Sequence, residues 1–144
     1  LYKKVDLTMC LNGALAGLVS ITAEPLMPSP IMAIIIGSIG GIIVVFAVPL
    51  LDKLKIDDVV GAIPVHLLAG IWGTLAVPLT NPDITFGSQI LGIVSVGVFV
   101  SAVSAILWYV MKMTIGIRVT PEAELMGLDR SELGMDAYPE FTKQ

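Results

Sequence analysis

The chain has 144 residues, of which 56% are hydrophobic and 14% are charged, and its formal net charge is −4. Soluble domains are about a quarter charged, and the mean hydropathy here is +0.91, so the composition indicates an integral membrane protein. The acidic balance argues against a nucleic-acid partner, which requires a basic face. The single cysteine, Cys10, excludes an internal disulfide.

The first residue is Leu1 rather than a methionine, and the first apolar segment follows almost at once. The start lacks the charged region, short apolar core and small-residue cleavage site of a signal peptide. We therefore expect that the N-terminal part of a longer protein is missing from this chain.

Four apolar segments follow in order, at about residues 5–22, 31–51, 59–79 and 86–113. A membrane-spanning helix needs about 20 apolar residues to cross about 30 Å of hydrocarbon. The first segment is near the short limit, and the last is long enough to tilt or to project from the bilayer. The fold class predicted is all-α, with four transmembrane helices in residues 1–114 and a tail in residues 115–144.

The basic residues predict the orientation of these helices. The two loops at residues 23–30 and 80–86 contain no lysine or arginine, so four spans threaded alternately place all eight basic residues on one side. The positive-inside rule makes that side cytoplasmic, and both termini of the chain are then inside. The eight residues are Lys3, Lys4, Lys53, Lys55, Lys112, Arg118, Arg130 and Lys143.

Glycine pairs in the first two segments predict close helix packing. Gly13 and Gly17 have GxxxG spacing, and Gly37 and Gly41 repeat it. Helices in lipid associate through close packing of small residues, so we expect these pairs to serve helix contact.

The third segment, "VVGAIPVHLLAGIWGTLAVPL", contains His66, which is the only histidine in the chain. Helical spacing predicts that the ring lies on a stripe of small residues. The stripe comprises Ala62, His66, Ala69, Gly70, Gly73 and Val77. Trp72 lies off this stripe and is interpreted as a packing residue.

Pro64 precedes the histidine by two residues. Proline cannot donate to the carbonyl of Val60 and tends to kink a helix. A freed carbonyl is tolerated at membrane depth where protein or a cavity satisfies it.

An ionisable residue in a membrane span is a functional hypothesis by default. A neutral imidazole that hydrogen-bonds a neighbouring helix remains an alternative. The spans supply no set of ligands that would complete a metal site, and no nucleophilic arrangement is visible, so neither a metal nor an enzyme is expected. Imidazole can donate and accept a proton, so a relay or permeation role stays open.

Three stretches resemble the ammonium transporter family (Amt/Mep/Rh). "NGALAGLVSIT" is similar to its eighth span, "DDVVGAIPVHLLAGIWG" to its pattern of acidic residues followed by histidine and small residues, and "GLDRSELGMDAY" to its cytoplasmic tail motif. The order and spacing also agree, and the resemblance covers nearly the whole chain.

The resemblance implies a fold of eleven spans, of which this chain would hold spans eight to eleven. Family members form homotrimers in the cytoplasmic (inner) membrane and conduct ammonium or ammonia through a narrow apolar pore, without a cofactor. Two histidines share a hydrogen bond in that pore, and His66 matches the second of them. Ala62 and Gly70 would lie beside His66 in the pore wall. The first histidine belongs to spans absent from this chain.

Asp57 and Asp58 precede the third span, where negative charge suits the N-terminal end of a helix. The resemblance implies that Asp58 also holds cytoplasmic loops in place.

The tail begins with a predicted short helix, because Thr120 is a candidate N-cap, Pro121 suits the first helical position and Gly127 can end the helix. The resemblance implies a regulatory tail that couples subunits, and many microbial relatives dock PII signalling proteins at this face. The matching residues are Gly127, Leu128, Asp129, Gly134, Ala137 and Tyr138. Leu133 and Met135 stand where histidine and glutamate are common, which leaves subunit coupling and PII control open.

A reading from another class is a four-span assembly or anchor subunit in which His66 serves packing only. The gene region before Leu1 discriminates the two: seven preceding spans with a histidine in the fifth favour the transporter.

Overall fold

The computed structural model describes residues 4–26, 28–137 and 139, and the regular elements in this part of the chain are all helices. Lys3, Lys143 and Tyr138, which the sequence interpretation used, lie outside the described residues. The elements are α1 (Leu7–Ile21), α2 (Pro30–Lys53), a π-helical segment (Ile63–Leu68) that continues into α3 (Ala69–Thr80), α4 (Phe86–Thr114), α5 (Pro121–Met126) and α6 (Leu128–Leu133).

Three stretches are long and apolar enough to cross a membrane: Pro30–Lys53, Ile63–Thr80 and Phe86–Thr114. The predicted all-α membrane fold is confirmed. The stretch Ile63–Thr80 joins the π-helical segment to α3. It corresponds to the third apolar segment of the sequence and is called span three below. Helix α1 is apolar but has only 15 residues, which corresponds to about 22 Å at 1.5 Å per residue.

Span three begins later than the sequence pattern indicates. The pattern starts at Val59, whereas the π-helical segment starts at Ile63. The reason lies in Gly61, whose φ of +77° is a left-handed conformation that interrupts a right-handed helix.

Backbone proximity divides the chain into two compact units, Leu1–Gly97 and Val98–Gln144, and the division falls within α4. Helix α4 contains no buried residue.

In the first unit, α1 and α2 pack through their glycines. A methyl group at Gly17 would lie 3.3 Å from the carbonyl oxygen of Gly37, and one at Gly41 would lie 3.4 Å from the carbonyl oxygen of Gly13. The backbones of the two helices therefore approach closely, as the GxxxG spacing predicts.

Span three packs against this helix pair through small side chains. A buried cluster joins one residue of α1, one of α2 and two of span three: Ala16, Val44, Val65 and Ala69. Gly73 lies against the backbone of Ser20, where an added methyl group would overlap the Ser20 carbonyl. The three elements thus meet at a distance that only small residues allow.

We expect Gly73→Ala to lower the stability of the complete protein by about 1–3 kcal/mol, the usual cost of overpacking, because the new methyl group would overlap the Ser20 backbone. Gly13→Ala is the matched control, since nothing lies within 4 Å of its added methyl group and alanine has the better helix propensity. Thermal unfolding in detergent measures both variants. Equal midpoints for the two would contradict the packing described here.

Candidate functional site

The start of span three is fixed by the carboxylate of Asp58. Its two oxygens accept hydrogen bonds from the backbone N–H groups of Ala62 and Ile63, each at 2.8 Å. These are donors that a helix leaves free at its first turn. Asp58 therefore occupies the N-terminal position that the sequence predicts. Asp57 is exposed and makes no hydrogen bond within the described part of the chain.

The carbonyl of Val60, in the turn before span three, has a specific partner. The side-chain amide of Asn12 in α1 donates to the carbonyl oxygen of Val60 at 3.1 Å. The left-handed Gly61 separates Val60 from the helix that follows, so the donor comes from the neighbouring helix rather than from span three, and Pro64, in the first turn of span three, is not the cause. Sequence reasoning expected a partner for this oxygen without identifying Asn12.

Gly61 makes room for this bond. A methyl group at Gly61 would lie 2.6 Å from the amide nitrogen of Asn12. The left-handed turn and the absence of a side chain therefore both favour glycine at this position.

The far end of the π-helical segment is also contacted by α1. The hydroxyl oxygen of Ser20 lies 2.7 Å from the carbonyl oxygen of Ala16 and 3.3 Å from that of Ala69. A hydroxyl has one proton, so the shorter bond to Ala16 is the stronger of the two. Ser20 is 2% exposed and Asn12 is 9% exposed, so α1 turns two polar side chains toward span three.

The π-helical segment changes the predicted stripe. Ala69, Gly73 and Val77 are buried, whereas Ala62 and His66 are exposed. The prediction of a single face was wrong, because it assumed α-helical spacing throughout. A π-helical turn holds more residues than an α turn, and the residues on either side of it shift in phase.

His66 lies on the uncovered side of span three. Its neighbours Pro64 and Val65 are buried, while the imidazole side is exposed and forms no hydrogen bond with another described residue. Gly70, four residues further, is half-buried, and an added methyl group there would touch only Val19, at 3.8 Å. Ala62 and His66 are therefore uncovered within this unit.

Trp72 belongs to the packed side of the unit. It is half-buried, and its indole N–H donates to the carbonyl oxygen of Ile36 in α2 at 3.0 Å. The interpretation of Trp72 as a packing residue is confirmed.

At the other end of the unit, the side-chain amide of Asn81 donates to the carboxylate of Glu24 at 3.1 Å. This bond ties the loop after α1 to the end of span three. Among the described residues, no group of three His, Cys, Asp or Glu side chains could hold a metal ion.

In the second unit, the short tail helix has the caps that the sequence predicts. The hydroxyl of Thr120 accepts the N–H of Ala123 at 3.2 Å, Pro121 is the first residue of α5 and Gly127 ends it with φ +95°. Gly134 ends α6 in a left-handed conformation with φ +66°. These two glycines thus have a backbone reason to occupy their positions.

Asp129 closes the tail on itself. Its carboxylate accepts the N–H of Ala137 at 2.9 Å, and this bond is the main reason why the pKa of Asp129 is lower than its ordinary value. Arg130 pairs with the carboxylate of Asp136, which raises the pKa of the guanidinium. Leu128 is exposed, and Tyr138 lies outside the described residues.

The geometry defines a multi-span membrane protein with an uncovered histidine on an irregular span. The Ammonium Transporter Family model matches residues 1–138. Similar proteins include ammonium transporter Amt2 of Archaeoglobus fulgidus, 37% identical over 96% of this chain and 34% of its own length. Ammonium transporter Amt2 of Methanocaldococcus jannaschii is 37% identical over 95% of this chain and 34% of its own length.

Ammonium transporter Amt1 of Haloferax mediterranei is 35% identical over 96% of this chain and 28% of its own length. The chain belongs to the Ammonium Transporter Family. It spans about a third of the length of the relatives it matches, and with its apolar helices it is a membrane protein.

We expect Asp58→Ala to destabilise the complete protein by about 0.5–2 kcal/mol, the usual cost of losing a helix cap, because two backbone donors of span three lose their acceptor. Asp57→Ala is the control, since it removes a negative charge from the adjacent residue without removing a hydrogen bond. Thermal unfolding in detergent compares them. A larger loss for Asp57→Ala would show that charge, not capping, matters here.

The tail should loosen in acid. A carboxylate whose pKa is lowered by folding stabilises the folded form above its ordinary pKa, which is 3.8 for Asp129, and this contribution is lost as the pH falls through the lowered value. The hydrogen-exchange protection of the Ala137 amide should therefore decline below about pH 3.8. Asp129→Ala should remove most of this protection at neutral pH, whereas Glu132→Ala, which alters an exposed acid in the same helix, should not. Unchanged protection in Asp129→Ala would refute the assignment.

Proposed function

We propose that the complete protein carries ammonium or ammonia across the cell membrane, and that His66 lines the path. Family membership and the relatives' names, which describe ammonium transporters, support the transported species. The observation that carries the role of His66 is its exposure on span three beside two buried neighbours, Pro64 and Val65. An imidazole that served only to pack this unit would be expected among its buried residues.

Electrostatics explain why a histidine suits such a path. Moving a small ion from water into a medium of low dielectric constant costs of order 20 kcal/mol in the idealised limit. Neutral ammonia escapes this cost, and its proton can be held or passed separately. Imidazole has one nitrogen that donates and one that accepts, so it can hydrogen-bond ammonia or relay the proton.

His66 is proposed as the second member of a histidine pair, and the first would come from the upstream part of the protein. Ala62 and Gly70 would border the ring, because they lie four residues before and four residues after His66 on the same span. Since neither residue carries more than a methyl group, they would leave a narrow, apolar passage. The alternative, an anchor subunit with a packing histidine, requires another segment to cover the ring.

The basic residues support an orientation with both ends of this chain in the cytoplasm, in the cytoplasmic (inner) membrane. We propose that the complete protein forms a homotrimer surrounded by lipid and acts as a transporter rather than an enzyme. The tail, including Gly127, Leu128, Asp129, Gly134 and Tyr138, would lie at the cytoplasmic face and couple neighbouring subunits. A PII-type signalling protein is the proposed regulator at this face.

We expect His66→Ala in the complete protein to reduce ammonium or methylammonium uptake, or to change the ratio between the two, while the protein still assembles. The ring's donor and acceptor are lost, but its exposure means that the α1–α2 packing stays intact. Uptake into cells that lack their own transporters, divided by the amount of assembled protein, measures the effect.

Leu67→Ala is the control, because it shortens the next side chain, which is also exposed. Uptake and selectivity equal to wild type in His66→Ala would contradict the pore role. A loss of the same size in Leu67→Ala would show that the imidazole has no special part.

A further inference from the structure

We propose that Asn12 of α1 is a positioning residue for His66, a proposal that rests on the function proposed above. Asn12 donates a hydrogen bond to the carbonyl of Val60, in the turn that leads into the π-helical segment. Ser20 contacts the other end of the same segment. The two polar side chains of α1 bracket the six residues that contain His66.

The carbonyl of Val60 lies in the turn before span three, outside the helix. Gly61, with φ +77°, separates Val60 from that helix, whose first bond is the ordinary one from the N–H of Val65 to the carbonyl of Gly61, at 3.1 Å. Among the described residues, Asn12 is the donor to the oxygen of Val60, at 3.1 Å.

The side chain of Asn12 is also buried. Asn12 is 9% exposed, and burying an amide costs free energy unless it is hydrogen-bonded. The bond to Val60 therefore offsets the cost of burying the Asn12 amide on the packed face of α1. The remainder of that face consists of Ala16 and Ser20, so Asn12 is the long polar side chain on it.

The two polar side chains of α1 reach both sides of the π-helical segment. Asn12 and Ser20 lie eight positions apart on α1, about 12 Å along a helix axis, and contact Val60 and Ala69. The N–H of Ala69 donates back to the carbonyl of Pro64, which completes the wide turn around His66. The turn before the irregular segment and the residue after it thus both contact α1.

A positioning role predicts a particular result for the double variant with His66→Ala. Asn12→Ala alone in the complete protein should lower uptake per assembled molecule roughly two- to tenfold, which corresponds to the net contribution of one typical hydrogen bond. In the His66→Ala background, Asn12→Ala should cause no further loss.

The control is Thr8→Ala, which removes a polar group from an exposed position one turn earlier on α1 and should leave uptake unchanged. Uptake of radiolabelled methylammonium into proteoliposomes, together with thermal unfolding of the same preparations, gives both readouts. A purely structural role would lower the unfolding midpoint and the amount of assembled protein, but would leave uptake per assembled molecule unchanged.

The outcomes separate this proposal from the function proposed above. If His66→Ala transports like wild type, the pore role fails, whatever Asn12→Ala does. If His66→Ala loses uptake while Asn12→Ala keeps it per assembled molecule, the positioning role fails and the pore role stands. A further loss of uptake when Asn12→Ala is added to His66→Ala would also overturn the proposal.

Discussion

The turn before span three leaves the backbone carbonyl of Val60 without a helical donor, and the first unit of this protein is built around that constraint. A backbone carbonyl outside a helix must find a partner within the protein or reach water. Here the partner is the side chain of Asn12, which reaches Val60 from the adjacent helix. The capping carboxylate of Asp58 and the left-handed turn at Gly61 complete the same junction.

The consequence is an irregular span with a definite position. The π-helical segment shifts the phase of span three, so the small residues after it are buried against α1 and α2 while His66 is uncovered. π-helical turns are rare in proteins overall, but those that occur are often found at functional sites. A span that carried α-helical spacing throughout would place His66 on the same face as Gly73, which lies against the Ser20 backbone. The irregularity therefore separates the packing face from the face proposed for permeation.

Hydropathy and turn residues were sufficient to predict the number and approximate extent of the apolar helices, because helix length in a bilayer is set by its thickness. The glycine contacts, the cap at Asp58 and the tail helix between Thr120 and Gly127 also followed from local patterns. These features depend on residues close in sequence or on a spacing that one helix displays by itself.

The remainder depended on contacts between distant residues. Asn12 and Ser20 act on positions 48 and 49 residues further along the chain, and no local pattern indicates which carbonyl each would reach. The phase shift at His66 was missed for a related reason: a proline predicts a disturbance of the helix, but neighbouring elements decide whether it becomes a kink or a wide turn. The exposure of His66 depends on α1 and α2, which pack against the opposite face of span three.

An experimental density map of the complete, assembled protein would test the central claim most directly. The account predicts that the imidazole of His66 borders a continuous, water-poor passage through the subunit and meets a second imidazole from the upstream spans. A map in which the ring is wedged among packed side chains, away from any passage, would contradict it.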